Sequence, residues 1–313
     1  MRPLAILCSD LHFSAIAPAA RSAEPDWYLA QKRYIDQLKA LQKVNGDCPI
    51  IVAGDLYDRW TPVGSPAELI NFLLAELPDK MFVIPGQHDL KNHRYETIES
   101  TPYWTLVMAG KIINIPPRRD VLQLGFQVLG DSRSGLYAHA FPWGYEVKPY
   151  DGPKQTGDIH IAVVHAYIWG KDFGGYPGAP EDRRVESYLS KLEGYDAAVF
   201  GDNHEGRLIN SRLINCGTFL RRKSDERHYR PMVGILYEDA HIEVHYLDVS
   251  ADLWLDDAPS KAKEDQAADT SGIVESLRKL GVDALDFRAM VRHLMDQQQT
   301  GERVRQVVAG VVP

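Results

Sequence analysis

Cysteine is scarce. Cys8, Cys48 and Cys216 are the only three in 313 residues, an odd number set far apart, which excludes a disulfide framework and favours a reducing compartment. Long apolar runs are also absent. No stretch approaches the roughly 18 residues of a spanning helix, and the N-terminal run from Pro3 to Cys8 stops at Ser9 and Asp10. Neither a membrane anchor nor a signal peptide is expected, and the chain reads as cytoplasmic. Positive charge is in deficit, with 35 Lys and Arg against 43 Asp and Glu and a formal net charge of -8. This argues against holding nucleic acid by bulk charge but leaves room for a local basic groove. Fixed-period repeats and low-complexity tracts are missing, which excludes repeat architectures. What is present, 44% hydrophobic and 25% charged residues, suits a globular chain long enough to bury a large core.

Five apolar runs each end in a polar cluster: Leu4 to Cys8, Ile50 to Ala53, Met81 to Ile84, Ile159 to Val164 and Ala197 to Phe200. Continuous apolar runs of this length predict strands buried on both faces. Between them, Trp27 to Lys43 spaces Tyr28, Leu29, Tyr34, Ile35, Leu38 and Leu41 at helical intervals, and Ser65 to Leu77 opens with Ser-Pro, a helix start. Alternating strands and helices predict an α/β sheet whose ligands lie beyond the carboxyl ends of the strands, so all five clusters are expected on one edge. After Gly201 the β-like stretches shorten: Arg207 to Asn215, then a hairpin of Met232 to Tyr237 and His241 to Tyr246, for which a second packed sheet is expected. The domain reading is 1–255 as the main domain, 256–270 as a linker without large apolar residues, and 271–313 as a helical tail.

The clusters, in order, are Asp10-Leu11-His12, Gly54-Asp55-Leu56-Tyr57-Asp58-Arg59, Gly86-Gln87-His88-Asp89, His165, and Gly201-Asp202-Asn203-His204. Singly each is a weak signal, but five in one order on one sheet edge are not. Carboxylate, amide and imidazole groups without a thiolate suit two divalent cations. Such a pair can share a carboxylate, carry a bridging hydroxide and clamp phosphoryl oxygens.

This ordered set resembles the calcineurin-like metallophosphoesterase superfamily, whose pattern is Asp-x-His, Gly-Asp-x-x-Asp, Gly-Asn-His-Asp, His, Gly-His-x-His, over roughly residues 4 to 250. The resemblance implies two packed mixed β-sheets flanked by helices, a four-layer sandwich. With Asn215-Cys216-Gly217-Thr218-Phe219-Leu220-Arg221 after the last cluster, the chain is most similar to the SbcD-type DNA repair exonuclease branch, phage-encoded relatives included; for a phage protein the compartment is the host cytoplasm. It implies that Asp10, His12 and His204 hold one metal, that Asp55 bridges, and that Gln87, His165 and Asp202 complete the second. His88 would stabilise the transition state or protonate the leaving oxygen, with Asp58 or Asp89 orienting it. Gln87 replaces the usual Asn and Asp202 the usual His. The extra carboxylate favours Mn²⁺, with Mg²⁺ next and Zn²⁺ behind.

For the substrate, Arg118-Arg119, Arg183-Arg184, Arg221-Arg222-Lys223 and Arg227 to Arg230 are either phosphate contacts or solvated surface charge, Arg221 and Arg222 being the strongest candidates. Trp169 and its neighbours Tyr167, Phe173 and Tyr176, like Tyr57 and Trp60, either stack on bases or pack their loops. The leading expectation is a metal-dependent DNA exo- or endonuclease. A small-molecule or nucleotide phosphodiesterase, or a phosphoprotein phosphatase, shares the same ligands; a non-catalytic subunit is disfavoured by the full ligand set and His88. The tail is expected to meet an SbcC-like ATPase partner, and a homodimer is also compatible.

Overall fold

The apolar runs form strands because each face of each strand meets a different layer. The computed structural model describes residues 1–117, 122–129, 132–176 and 179–255. Arg118-Arg119, the linker 256–270 and the tail 271–313 lie outside the described residues. Strands β1 (Pro3–Cys8), β2 (Ile50–Ala53), β3 (Met81–Ile84) and β4 (Ile112–Asn114) are parallel. They are joined through helices α1 (Trp27–Val44), α2 (Ala67–Glu76) and α3 (Pro102–Met108). A second sheet contains β5 (Leu122–Leu129), β6 (Ser132–Phe141), β7 (Ile159–His165), β8 (Ala197–Gly201), β9 (Arg207–Asn210) and β10 (Leu213–Asn215), with α4 (Val185–Leu189) between β7 and β8. The hairpin of β11 (Met232–Tyr237) and β12 (Ile242–Tyr246) then returns to the first sheet. The sheet orders are β12-β11-β1-β2-β3-β4 and β5-β6-β7-β8-β10-β9.

Side-chain alternation assigns the layers. Leu7, Ile51, Ala53 and Ile84 of the first sheet share one core with Ile161, Val163, Val199 and Ile214 of the second. The opposite faces, Ile6, Cys8, Ile50, Val52 and Val83, pack on Ile35, Leu38, Leu73 and Leu106 of the helices. Beyond the second sheet, Ala162, Val164, Ala198 and Phe200 meet Val185 and Tyr188. The order is therefore helix, sheet, sheet, helix, and full burial of each large aliphatic chain contributes about 1.5–3 kcal/mol. Helix α1 starts at Asp26, whose side chain accepts the Leu29 N–H. Leu29 itself faces outward, 57% exposed, and Trp27 and Ala30 fill the buried face in its place.

Two expectations need correction. The five clusters do not line one sheet edge: three follow β1, β2 and β3 of the first sheet, and two follow β7 and β8 of the second. Apolar runs covered on both faces look alike whichever sheet they join, so the sequence does not separate them. The late hairpin belongs to the first sheet, paired antiparallel to β1, while Arg207 to Asn215 divides into two strands of the second. The clusters still meet, because the parallel strands of both sheets end on the same side. His165 Nδ1 lies 2.7 Å from Ala53 O, and a Cβ at Gly54 would fall 2.0 Å from that nitrogen.

Candidate metal centre

Two loops leaving neighbouring parallel strands form the floor of the site. The amides of Asp10, His12 and Phe13 donate to the carbonyls of Gly54, Asp55 and Leu56 at 2.9–3.0 Å, and the Asp58 N–H donates back to Phe13 O. Along this zipper Asp10, His12 and Asp55 take positive φ (51°, 47° and 53°), joined by Asp202 at 81°. A left-handed backbone costs an ordinary residue about 1–2 kcal/mol. It persists where the surrounding hydrogen bonds over-determine it, and such strain gathers at functional sites.

The β3 loop is stapled onto this floor. Asp89, fully buried, accepts the N–H groups of Leu56 (3.1 Å), Tyr57 (2.9 Å) and Gly86 (3.0 Å). The His88 N–H donates to Asp55 Oδ1 at 2.9 Å. Position 86 must be glycine, since a Cβ there would lie 2.1 Å from Asp55 Oδ1. From the second sheet, the Asp202 N–H donates to both Asp10 carboxylate oxygens at 3.0 and 3.2 Å. Asn203 Nδ2 donates to Ile168 O at 2.6 Å, and Asn215 Nδ2 donates to the carbonyls of Asn203 and Glu205 at 2.8 Å. These two asparagines, quoted within motifs of the sequence but given no role there, hold the loop that carries Asp202 and His204.

The side chains converge into one chain of donor atoms. His12 Nε2 lies 3.0 Å from His204 Nε2 and 3.8 Å from Asp10 Oδ1. Asp55 Oδ2 stands between His12 Nε2 (3.7 Å) and His165 Nε2 (3.5 Å). His165 Nε2 lies 2.6 Å from Gln87 Oε1, and Gln87 Nε2 donates to Asp202 Oδ1 at 2.6 Å. Among the described residues, three groupings are compact enough to hold a cation: Asp10, His12 and His204; Asp10, Asp55 and His165; and His12, Asp55 and His88.

Chemistry of these atoms fits metal ions. Asp55 Oδ2 and His12 Nδ1 are buried with no hydrogen-bond partner, and an unsatisfied buried carboxylate oxygen is costly. Since a carbonyl can only accept, His165 Nδ1 carries the hydrogen toward Ala53 O. Its Nε2 lone pair then faces another acceptor, Gln87 Oε1. Only a proton or a cation resolves that opposition. Burial lowers the proton affinity of His165, but the Asp55, Asp10 and Asp202 carboxylates more than reverse this and raise it to about 10. Burial pushes Asp10 up to about 8. For Asp55, burial raises the carboxyl, yet His165 and the His88 N–H outweigh it and hold it below its ordinary value. His204 is pushed down to about 3 by burial and by the Arg222 and Lys223 charges, which leaves it neutral, the form that ligates.

Several expected roles are displaced. Asp58 meets His88 through its backbone carbonyl, 2.6 Å from His88 Nδ1; its carboxylate is taken by Arg222 Nη1. Asp89 does not orient His88, because its carboxylate is spent on three backbone amides. Tyr57 cannot meet substrate, being fully buried in the first core. Arg221 is buried on Asp252 (2.8 Å) and on the carbonyls of Arg227 and Val249. Trp169 is half-buried, held to Pro180 O by its Nε1–H and covered by the Arg184 guanidinium, so its loop uses it for packing. Arg222 lies beside the cluster, on the Asp58 carboxylate, and Arg183 lines a cleft next to His165.

Two clefts open beside the cluster. One, about 320 Å³, adjoins His165 and is lined by Trp143, Tyr145, Arg183, Tyr188 and Lys191 among others. The second, about 540 Å³, adjoins Asp58 and Arg222 and includes Arg59, Lys223, Ile16 and Val63. Trp143 was missed in the sequence, although Phe141-Pro142-Trp143-Gly144 is a strand end followed by an aromatic and a glycine, like the clusters that were read.

Residues 5–206 match the family model described as Calcineurin-like phosphoesterase. Solved structures similar to the chain include calcineurin-like phosphoesterase YfkN from Bacillus subtilis, at TM-score 0.45 and 12% identity over 88% of this chain and 98% of that one. A Staphylococcus aureus protein described as a 5′-nucleotidase has TM-score 0.43 and 13% identity over 85% of this chain. NAD nucleotidase from Haemophilus influenzae has TM-score 0.41 and 11% identity over 85% of this chain. The chain spans 58% and 55% of those two proteins. No curated protein matches it.

Proposed function

This chain is a metal-dependent phosphoesterase of the calcineurin-like family, and from that membership we propose that it hydrolyses phosphodiesters, with DNA as its substrate. In this reading Asp10, His12 and His204 hold one divalent ion, Gln87, His165 and Asp202 hold the other, and Asp55 is shared. The partnerless Asp55 Oδ2, flanked by His12 and His165, is the observation that supports a shared ligand. A pair of ions there would neutralise phosphoryl oxygens and activate the attacking water.

The chain's own groups do the rest. The carbonyl of Asp58 fixes the hydrogen of His88 on Nδ1, which leaves Nε2 as the atom that can exchange a proton with the leaving oxygen. Arg222, clamped to Asp58, brings positive charge to the same end. Diester rather than monoester hydrolysis is supported by two separate clefts beside the donor atoms, one lined by His165 and one by Asp58. A diester has two arms to house and a monoester one. Arg59, Arg222 and Lys223 in the second cleft suit a further phosphate of a polynucleotide.

The test is to strip the protein with chelator, restore Mn²⁺, Mg²⁺ or Zn²⁺ singly, and offer linear duplex, single-stranded and closed circular DNA beside p-nitrophenyl phosphate. Metal-dependent DNA cleavage that exceeds monoester hydrolysis is expected. Efficient monoester turnover with intact DNA under every metal would overturn the diester reading.

A further inference from the structure

The cleft beside His165 has the build of a recognition site for a flat, partly charged group. Trp143 lies at the start of the loop that follows β6, with its amide donating to Pro85 O at 3.3 Å, so it is tied to the loop that carries Gln87. Its ring is half-buried against the first core and stands 6.4 Å from the His165 ring, T-shaped to it. Opposite, Tyr188 is buried, its hydroxyl accepts from Arg183 Nη1 at 2.8 Å, and Lys191 Nζ lies 5.0 Å from its ring centre. The walls are therefore aromatic, and two cations are held in place by one of them. Carboxylates of Glu146 and Asp182 stand at the exposed rim. None of these residues is needed to hold the proposed metals.

A volume of about 320 Å³ is at the lower end for ligand clefts, too small for a folded protein surface and adequate for one nucleoside. Aromatic faces stack on bases without regard to sequence, and fixed cations meet phosphate oxygens. We propose that the Trp143–Tyr188 cleft is a subsite for one nucleoside arm of the scissile diester, the base lying on Trp143 and the next phosphate meeting Arg183 and Lys191. The subsite rests on the diester reading and sharpens it, by making the arm's chemistry a determinant of specificity.

Two diesters that differ only in that arm test it: thymidine 5′-(p-nitrophenyl phosphate) and methyl p-nitrophenyl phosphate. Wild type should prefer the thymidine ester. Trp143→Ala should lose about tenfold more kcat/KM on the thymidine ester than on the methyl ester, chiefly in KM, as the loss of one stacked base predicts. Trp143→Tyr, which keeps a ring, should recover most of the preference. Equal losses on both esters would overturn the subsite. Binding of thymidine 5′-monophosphate, read by calorimetry without turnover, separates the two levels. If Trp143→Ala binds it as tightly as wild type, the subsite falls while the diester reading stands. If binding differs by about tenfold but no diester is cleaved, the subsite stands and the diester reading falls.

Discussion

Asp58 shows how a residue can be placed correctly and read wrongly. Its position beside the metal cluster followed from the motif, but its carboxylate is occupied by Arg222 and its carbonyl, present in every residue, touches His88. Removing the side chain should therefore spare the orientation of His88. His88→Ala is expected to lower kcat by about 10²–10⁴, the usual worth of a positioned proton donor, and Asp58→Ala to lower it less; equal losses would show that the carboxylate does the orienting. Tyr57 and Arg221 are similar cases. Each has the residue type of a substrate contact, yet the first fills the core and the second closes an ion cluster. Sequence position near a motif is silent on which way a side chain turns. The metal-ligand candidates were legible because their chemistry is confined to a few residue types, whereas Asn203 and Asn215, though inside quoted motifs, act through backbone contacts, and Trp143 lines a cleft, roles that residue type does not reveal.

Among the elements, the strands at the site were read nearly to the residue, because burial on both faces leaves uninterrupted apolar runs such as Ile50–Ala53 and Met81–Ile84. Their division between two sheets was not legible, and β4, β5 and β6 carried no comparable signal. The segment 248–255 shows a further limit. It is irregular, yet Asp252 accepts from Tyr34 (2.5 Å), Arg21 (2.7 Å) and Arg221 (2.8 Å), and the Leu253 N–H donates to Glu24. This latch ties α1 to the irregular segment that carries Arg221 and Arg222. Burial raises the Glu24 carboxyl, but Arg33, the Leu253 N–H and Arg21 together hold it below its ordinary 4.5. A carboxyl that titrates lower in the fold than in the free chain contributes stability above about pH 4.5, lost as pH falls through the lowered value. Glu24→Gln should thus destabilise by about 1–3 kcal/mol at pH 7, with the gap to wild type closing in thermal melts as pH falls below the ordinary 4.5 and through the lowered value. A gap unchanged by acid would contradict the latch.

For the whole molecule, the acidic balance has a partial origin in the site. Asp10, Asp55 and Asp202 face one another across the meeting of two sheets, and two divalent ions would bring the formal charge from -8 to about -4. A DNA substrate, as proposed, would then be gripped locally, by the clefts, and not by bulk charge. In the proposed ligand set, three carboxylates against two dications would also favour harder ions. Asp202→His should shift reactivation from Mn²⁺ or Mg²⁺ toward Zn²⁺; an unchanged metal order would separate Asp202 from metal choice.

At the centre of the account is one carboxylate shared by two ions. Calorimetric titration of Mn²⁺ into the chelated protein tests it directly. The expected result is two ions per wild-type chain, with Asp55→Asn weakening both while thermal melting shows the fold intact. A wild-type chain that binds one ion, or an Asp55→Asn variant that binds two as tightly, would contradict it.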